Sequence, residues 1–226
     1  MRNTQADPSN KEGFFISCRM QPKQKVCVYI DGFNFYYGLK SKFKRQYYWL
    51  DIVKFFETFI KPYQELIEAT YFSATPHDQG KYDRQDLFFS ANRLNPKFKL
   101  ELGRYLPKSK KCWKCGTVHN TFEEKETDVK IATKMISDVV GGICDISILV
   151  SADSDLVPPI EFIRSFKPTH KIFVYFPPNR YSSNLNSIAN NTKKLDGSSV
   201  ALSNSLLPNT ITTPSGYIIN KPPKWI

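Results

Sequence analysis

The 226-residue chain is short of the features that mark several large protein classes. Its five cysteines (Cys18, Cys27, Cys112, Cys115 and Cys144) are too few and too scattered for a disulfide framework. No apolar run approaches the ~18 residues that cross a bilayer as a helix. The opening stretch, MRNTQADPSNKEGFF, has no continuous apolar segment of the secretory type, and there is no internal repeat. Acids are scarce against bases: 21 Asp and Glu face 32 Lys and Arg, leaving a formal charge of +11. The expectation is a cytoplasmic protein without a membrane anchor, with a polyanionic partner, nucleic acid before acidic membrane. Hydrophobic residues at 41% and charged residues at 23% are ordinary globular usage, which excludes a disordered or fibrous chain. The length suits one substantial domain or at most two small ones.

What is present is an alternation of short apolar runs and amphipathic stretches. Val26-Cys27-Val28-Tyr29-Ile30 and Ile146 to Val150 are continuous apolar runs of strand length, as in strands buried on both faces of a parallel sheet. Leu66 to Ala74, Phe98 to Leu106 and Lys171 to Phe176 are further strand candidates. Asp51 to Ile60, Gln85 to Leu94, Asp128 to Val140 and Leu156 to Phe166 have helical spacing, and Gly141-Gly142 closes the third of these. This order predicts an α/β fold: a parallel sheet with helices on both faces. Residues 1–22 read as a flexible leader and 23–200 as the domain. Residues 201–226, rich in Ser, Asn, Thr and Pro, read as a polar tail, extended or disordered.

The acids fall at telling places. Asp31 follows the first buried strand, in YIDGFNFYYGL, and Asp153 and Asp155 follow the second, in ILVSADSDLVPPIEFIR. In open parallel sheets, ligands bind beyond the carboxyl ends of the strands, where strand order reverses. Asp128 opens the helix that leads into the second strand, with Thr127 as a cap candidate. Each acid alone has a plainer reading: a turn residue, a helix-start acid, a loop cap. Together they suggest a carboxylate cluster, and two like charges ~5 Å apart in an effective dielectric of ~20 repel by roughly 3 kcal/mol. Such a cluster takes up protons, recruits bases or binds a cation. Oxygen-only ligands suit Mg²⁺ or Mn²⁺, which can activate water against a phosphodiester. An acidic hole in a basic surface therefore points to phosphodiester hydrolysis.

The same residues carry a resemblance. YIDGFNFYYGL resembles the opening motif of NYN domains, of the PIN-like ribonuclease superfamily, in which a strand ends in Asp-Gly-x-Asn. EEKETDVKIATKMISD is similar to the Glu-Lys-Gly-x-Asp-Val segment of the LabA-like branch, and SADSDLVPPIEFIR to its Ser-Gly-Asp-Ser-Asp-Phe-x-Pro segment. The motifs occur in the right order across about residues 25–200. The resemblance implies a PIN-like, Rossmann-like fold and metal-dependent, often endonucleolytic, cleavage of RNA. It implies a site of Asp31, Asp128, Asp153 and Asp155, with Asn34 orienting site or substrate. Ala152 and Glu126 each replace a residue that is commonly Gly in the family.

Near 108–120 lies an expected insertion, Cys112-Trp113-Lys114-Cys115-Gly116, with His119 beyond. Two thiolates at this spacing are half of a structural Zn²⁺ site, with His119 as a third ligand; the alternative is a pair of reduced cysteines in a turn. A half site of this kind is compatible with a homodimer. Lys42, Lys44 and Arg45 are candidate RNA contacts, whereas the neighbouring Tyr47, Tyr48 and Trp49 are expected in the core. Three functions compete: a metal-dependent ribonuclease, an RNA-binding module that does not cut, and a nucleotide-sugar transferase using Asp153-Ser154-Asp155. The last leaves Asp31, Asp128 and the basic charge without a role.

Overall fold

The computed structural model describes residues 22–225, except for the side chains at 119, 120, 121 and 123. The expected leader, apart from residue 22, lies outside the described residues. The chain runs β1 (Gln24–Asp31), α1 (Gly32–Phe43), α2 (Ile52–Glu57), β2 (Gln64–Ala74) and α3 (Gln79–Asn92). A long hairpin follows, β3 (Phe98–Lys111) and β4 (Val118–Lys125), then α4 (Thr127–Val140) and β5 (Ile146–Val150). Next come α5 (Val157–Phe166), β6 (Lys171–Phe176), α6 (Ser183–Ile188) and β7 (Asn191–Lys194). The chain ends with α7 (Ser199–Asn204) and a small ribbon of β8 (Thr210–Thr212) and β9 (Ile218–Asn220).

The central sheet has seven strands in the order β4-β3-β2-β1-β5-β6-β7, all parallel except β4, which returns antiparallel along β3. Helices flank it on both faces, as the alternation of elements predicts. β1 is central, and its side chains alternate between two cores. Val26, Val28 and Ile30 pack with α1, α2 and α3, and Cys27 and Tyr29 pack with α4, α5 and α6. A strand covered on both sides must be apolar throughout, which is why β1 and β5 stand out in the sequence. Tyr47, Tyr48 and Trp49 are buried in the first of these cores. Cys27, Cys112, Cys115 and Cys144 are free thiols. Among the described residues, no helix is long and apolar enough to cross a membrane.

The chain leaves β1 toward β2 and β3, then returns through α4 to lay β5 on the other side of β1. Strand order therefore reverses between β1 and β5, and a crevice opens at their shared carboxyl edge. Gly32 makes the first turn of α1 possible there, since a Cβ would overlap the Phe72 carbonyl and the Tyr71 ring of β2.

Two expectations are corrected. The third strand extends past Leu106 to Lys111 and pairs with β4, which the polar sequence around it conceals. The segment beyond residue 200 is packed, not an extended or disordered tail. Leu202 and Ile219 are buried, the Trp49 indole N–H donates to the Pro208 carbonyl at 2.7 Å, and Leu50 bridges Leu206. Its few apolar residues are widely spaced, so composition hides them, but each closes the core beneath α2 and α3. Leu202→Ala is expected to lower unfolding free energy by about 2–5 kcal/mol in urea denaturation; a change within ~0.5 kcal/mol would show that the segment is not part of the core.

Candidate active site

Ile30 and Val150 are register partners on adjacent parallel strands, so the residues that follow them emerge together. Asp31 is the last residue of β1 and caps α1. It is 3% exposed, and three donors converge on its carboxylate. The Asn34 backbone N–H donates to Oδ1 at 3.0 Å, the Asn34 side-chain amide to Oδ2 at 2.6 Å, and the Ser151 hydroxyl to Oδ2 at 2.8 Å. Ser151 in turn accepts from the Asp153 N–H at 3.0 Å, tying the turn after β5 to the end of β1. Burial pushes the Asp31 carboxyl above its ordinary value, and these hydrogen bonds offset only part of that.

Asp153 caps a short 3-10 turn, its Oδ1 accepting from the Asp155 N–H at 3.0 Å. Asp128 lies in the first turn of α4, half-buried. Burial, then the charges of Asp31, Asp153, Glu124 and Asp155, push its carboxyl up to about 6. Carboxylates from β1, from the start of α4 and from the turn after β5 are thus close enough to repel one another. Glu124 joins them from β4; it accepts from the Thr127 N–H at 3.1 Å and from the Thr127 hydroxyl. Thr127 is accordingly a donor to Glu124 within the helix and not its cap. Glu126 holds the cap position with a left-handed φ of 79°, which explains why glycine suits this place. Its carboxylate turns to Arg104, accepting from Nε at 2.7 Å.

Among the described residues, no three His, Cys, Asp or Glu side chains stand close enough together to grip one metal ion. A closed cage is therefore not formed. The donor chemistry nevertheless fits Mg²⁺ or Mn²⁺, because Mg²⁺ is usually held through one or two carboxylates with water and phosphate completing the shell. At the tip of the β3–β4 hairpin, Cys112 and Cys115 lie in a turn that backbone bonds close. The Cys112 N–H donates to the Thr117 carbonyl and the Gly116 N–H to the Cys112 carbonyl, each at 2.8 Å. Cys115 Sγ lies 3.2 Å from Thr117 Oγ1, and hydrogen bonds that the Thr117 hydroxyl and N–H give to the thiolate lower its pKa to about 7. The side chain of His119, the expected third zinc ligand, lies outside the described residues.

The basic candidates are spread out. Lys42 sits on the last turn of α1, about 16 Å along the helix from Asp31, and pairs with Asp196 at 3.2 Å. Lys44 is exposed just beyond it, and Arg45 donates to the Lys224 carbonyl at 3.2 Å. Lys42 and Arg45 are thus engaged by other partners, Asp196 and the Lys224 carbonyl. Sequence reasoning missed Ser151, Glu124 and Arg180, whose guanidinium reaches Asn34 Oδ1 at 3.5 Å. The Ser before the Asp-Ser-Asp run was in view as part of a motif, but its bond to Asp31 needs the strand register.

The raised Asp128 carboxyl has a consequence for stability. Its folded value of about 6 exceeds the ordinary 3.8, so the folded state is favoured below pH ~4 and loses stability as pH rises through about 6. In EDTA, Asp128→Asn is expected to raise the thermal midpoint at pH 7 and to leave it unchanged below pH ~4. A lowered midpoint at pH 7 would contradict the repulsion.

The NYN domain pattern matches residues 25–196, spanning all of the acids above. A curated relative from Pseudomonas putida (strain DSM 28022 / S16), 6-hydroxy-3-succinoylpyridine 3-monooxygenase HspA, is 26% identical over 174 residues, 61% of this chain and 55% of the relative. The chain therefore spans about half the length of the curated relative it matches. A solved structure of a protein of unknown function, VPA0982 from Vibrio parahaemolyticus RIMD 2210633, superposes with a TM-score of 0.56 at 22% identity, covering 77% of this chain and 94% of that one. At that identity the likeness concerns the fold. With the family match extending over most of the chain, from β1 into the turn after β7, the protein belongs to the NYN domain family of the PIN-like ribonuclease superfamily.

Proposed function

We propose that the chain is a metal-dependent ribonuclease that hydrolyses RNA phosphodiester bonds endonucleolytically. One observation carries this reading: Asp31 at the end of β1, Asp128 in the first turn of α4 and Asp153 in the turn after β5 lie near enough to act on one another, so that burial first and then the charges of Asp31 and Asp153 push the Asp128 carboxyl up to about 6. Asp31, Asp128, Asp153 and Asp155 would hold Mg²⁺ or Mn²⁺ largely through water, and the ion would supply charge stabilisation and an activated water. The protein's own groups do the positioning. Asn34 and Ser151 fix the Asp31 carboxylate with three hydrogen bonds, so its orientation does not change as substrate arrives. Asp128 is placed to hold or release a proton near neutral pH. Arg180, beside Asn34, and the outlying Lys42, Lys44 and Arg45 offer cationic charge along the approach of a phosphate backbone.

A second reading, an RNA-binding domain that does not cut, draws on the absence of any three ion-gripping side chains among the described residues. Labelled single-stranded RNA separates the two. With Mg²⁺ or Mn²⁺ the chain is expected to produce internal cuts, which EDTA abolishes and which fall by roughly 100-fold or more in Asp31→Asn and in Asp153→Asn. Binding without turnover under all ionic conditions would favour the second reading, and full activity of the double variant would remove the acids from the reaction.

A further inference from the structure

A cavity of about 650 Å³ begins at Gly32, the residue after Asp31, and is bounded by α1, α3, the end of β2, the β3–β4 hairpin and the last described turn of the chain. Its size falls within the roughly 300–1,000 Å³ of small-ligand sites. Tyr71, whose hydroxyl donates to the Gly32 carbonyl at 3.3 Å, forms part of the wall nearest the acids. Of its lining, the hydrolytic reading above uses Arg45 alone.

The lining combines exposed rings with cations. Tyr36 and Tyr37 meet edge to face at 5.2 Å and are 38% and 46% exposed. His77 stacks on Phe122 with ring centroids 3.9 Å apart, and Phe122 is 53% exposed. Soluble proteins rarely leave large rings grouped in the open without a use for them. Lys40, Arg45, Lys81, Arg84 and Lys224 also line the cavity, against the single carboxylate of Asp78. That carboxylate is already engaged, capping α3 by accepting the Lys81 N–H at 2.7 Å. An apolar peptide would use the rings and waste five cations. A flat aromatic group that carries an anion uses both, and an unpaired nucleotide, with base on rings and phosphate on Lys or Arg, has this chemistry.

We propose that this cavity receives one unpaired nucleotide of the substrate RNA, its base stacked among Tyr36, Tyr37 and His77 and its phosphate held by Lys81 and Arg84. This rests on the ribonuclease reading for its consequence, which is selection of single-stranded over paired RNA beside the Asp31 edge. A base inside a duplex keeps its faces against its neighbours and cannot enter. Lys40, whose ammonium lies 5.7 Å from the Tyr37 ring centre, steadies that ring from the α1 side.

Binding measured in EDTA tests the cavity apart from cleavage. The full chain is titrated with a fluorescein-labelled hexauridylate and with a 12-base-pair RNA duplex, the latter as competitor. Tyr37→Ala and Arg84→Ala are each expected to weaken the hexamer by about fivefold or more, while Tyr37→Phe, which keeps the ring, stays within about twofold of the parent. The duplex competes poorly. Parental affinity in both alanine variants, or a duplex that competes as well as the hexamer, overturns the proposal. So does displacement of the hexamer by 4-hydroxybenzoate at lower concentration than by uridine monophosphate, which would mark a site for small aromatic acids. Loss of hexamer binding in Tyr37→Ala by a parent that never cuts RNA supports the cavity and counts against the ribonuclease reading. Cleavage with parental hexamer binding in both variants does the reverse.

Discussion

Carboxylates forced together at the buried edge of a parallel sheet are the constraint on which the rest of this protein depends. Asp31 has almost no contact with solvent, and burial raises its pKa even though three hydrogen bonds favour its charged form. Burial, and after it the repulsion of its neighbours, holds the Asp128 carboxyl near 6. An arrangement of this kind works against folding, and natural sequences keep such strain where it serves chemistry. A cation or a proton relieves it, and the hydrogen bonds from Asn34 and Ser151 keep the acids aimed meanwhile.

The fold supplies this convergence cheaply. β1 and β5 are neighbours with their carboxyl ends level, so two acids far apart in sequence meet without any loop having to reach. Gly32 lets α1 start against β2 immediately after Asp31, and Ser151 links the two strand ends. The third acid arrives at the first turn of α4, the element that carries the chain back across the sheet. The β3–β4 hairpin and the closing segment then build a wall beside this edge, and the aromatic, basic cavity lies between them.

The central strands were legible because burial on both faces demands an unbroken apolar run, and Asp31, Asp153 and Asp155 because they fall in the turns that follow those runs, whereas Asp128 was in view as the acid that opens a helix. The family motifs around Asp31, Asp128 and Asp153 added the order. What stayed hidden depended on partners distant in the chain. The outer half of β3 pairs antiparallel with β4, and the polar sequence of this ladder carries no clear period. Leu202 and Ile219 are isolated apolar residues in a polar stretch, and only the tertiary structure shows that they complete the core. Ser151, Glu124 and Arg180 are ordinary in sequence and acquire meaning from register or crossing contacts. Lys42, by contrast, was visible as a basic residue but is paired with Asp196 and remote from the acids.

We propose that the segments around Asp31, Asp128 and Asp153 share one divalent ion. Paramagnetic broadening by substoichiometric Mn²⁺, read amide by amide in the ¹⁵N-labelled chain, addresses it directly. Signals of residues 31–34, 127–129 and 151–155 should fade first and together, and Asp31→Asn should remove the effect. Broadening centred on another surface, or unchanged in that variant, would contradict the account.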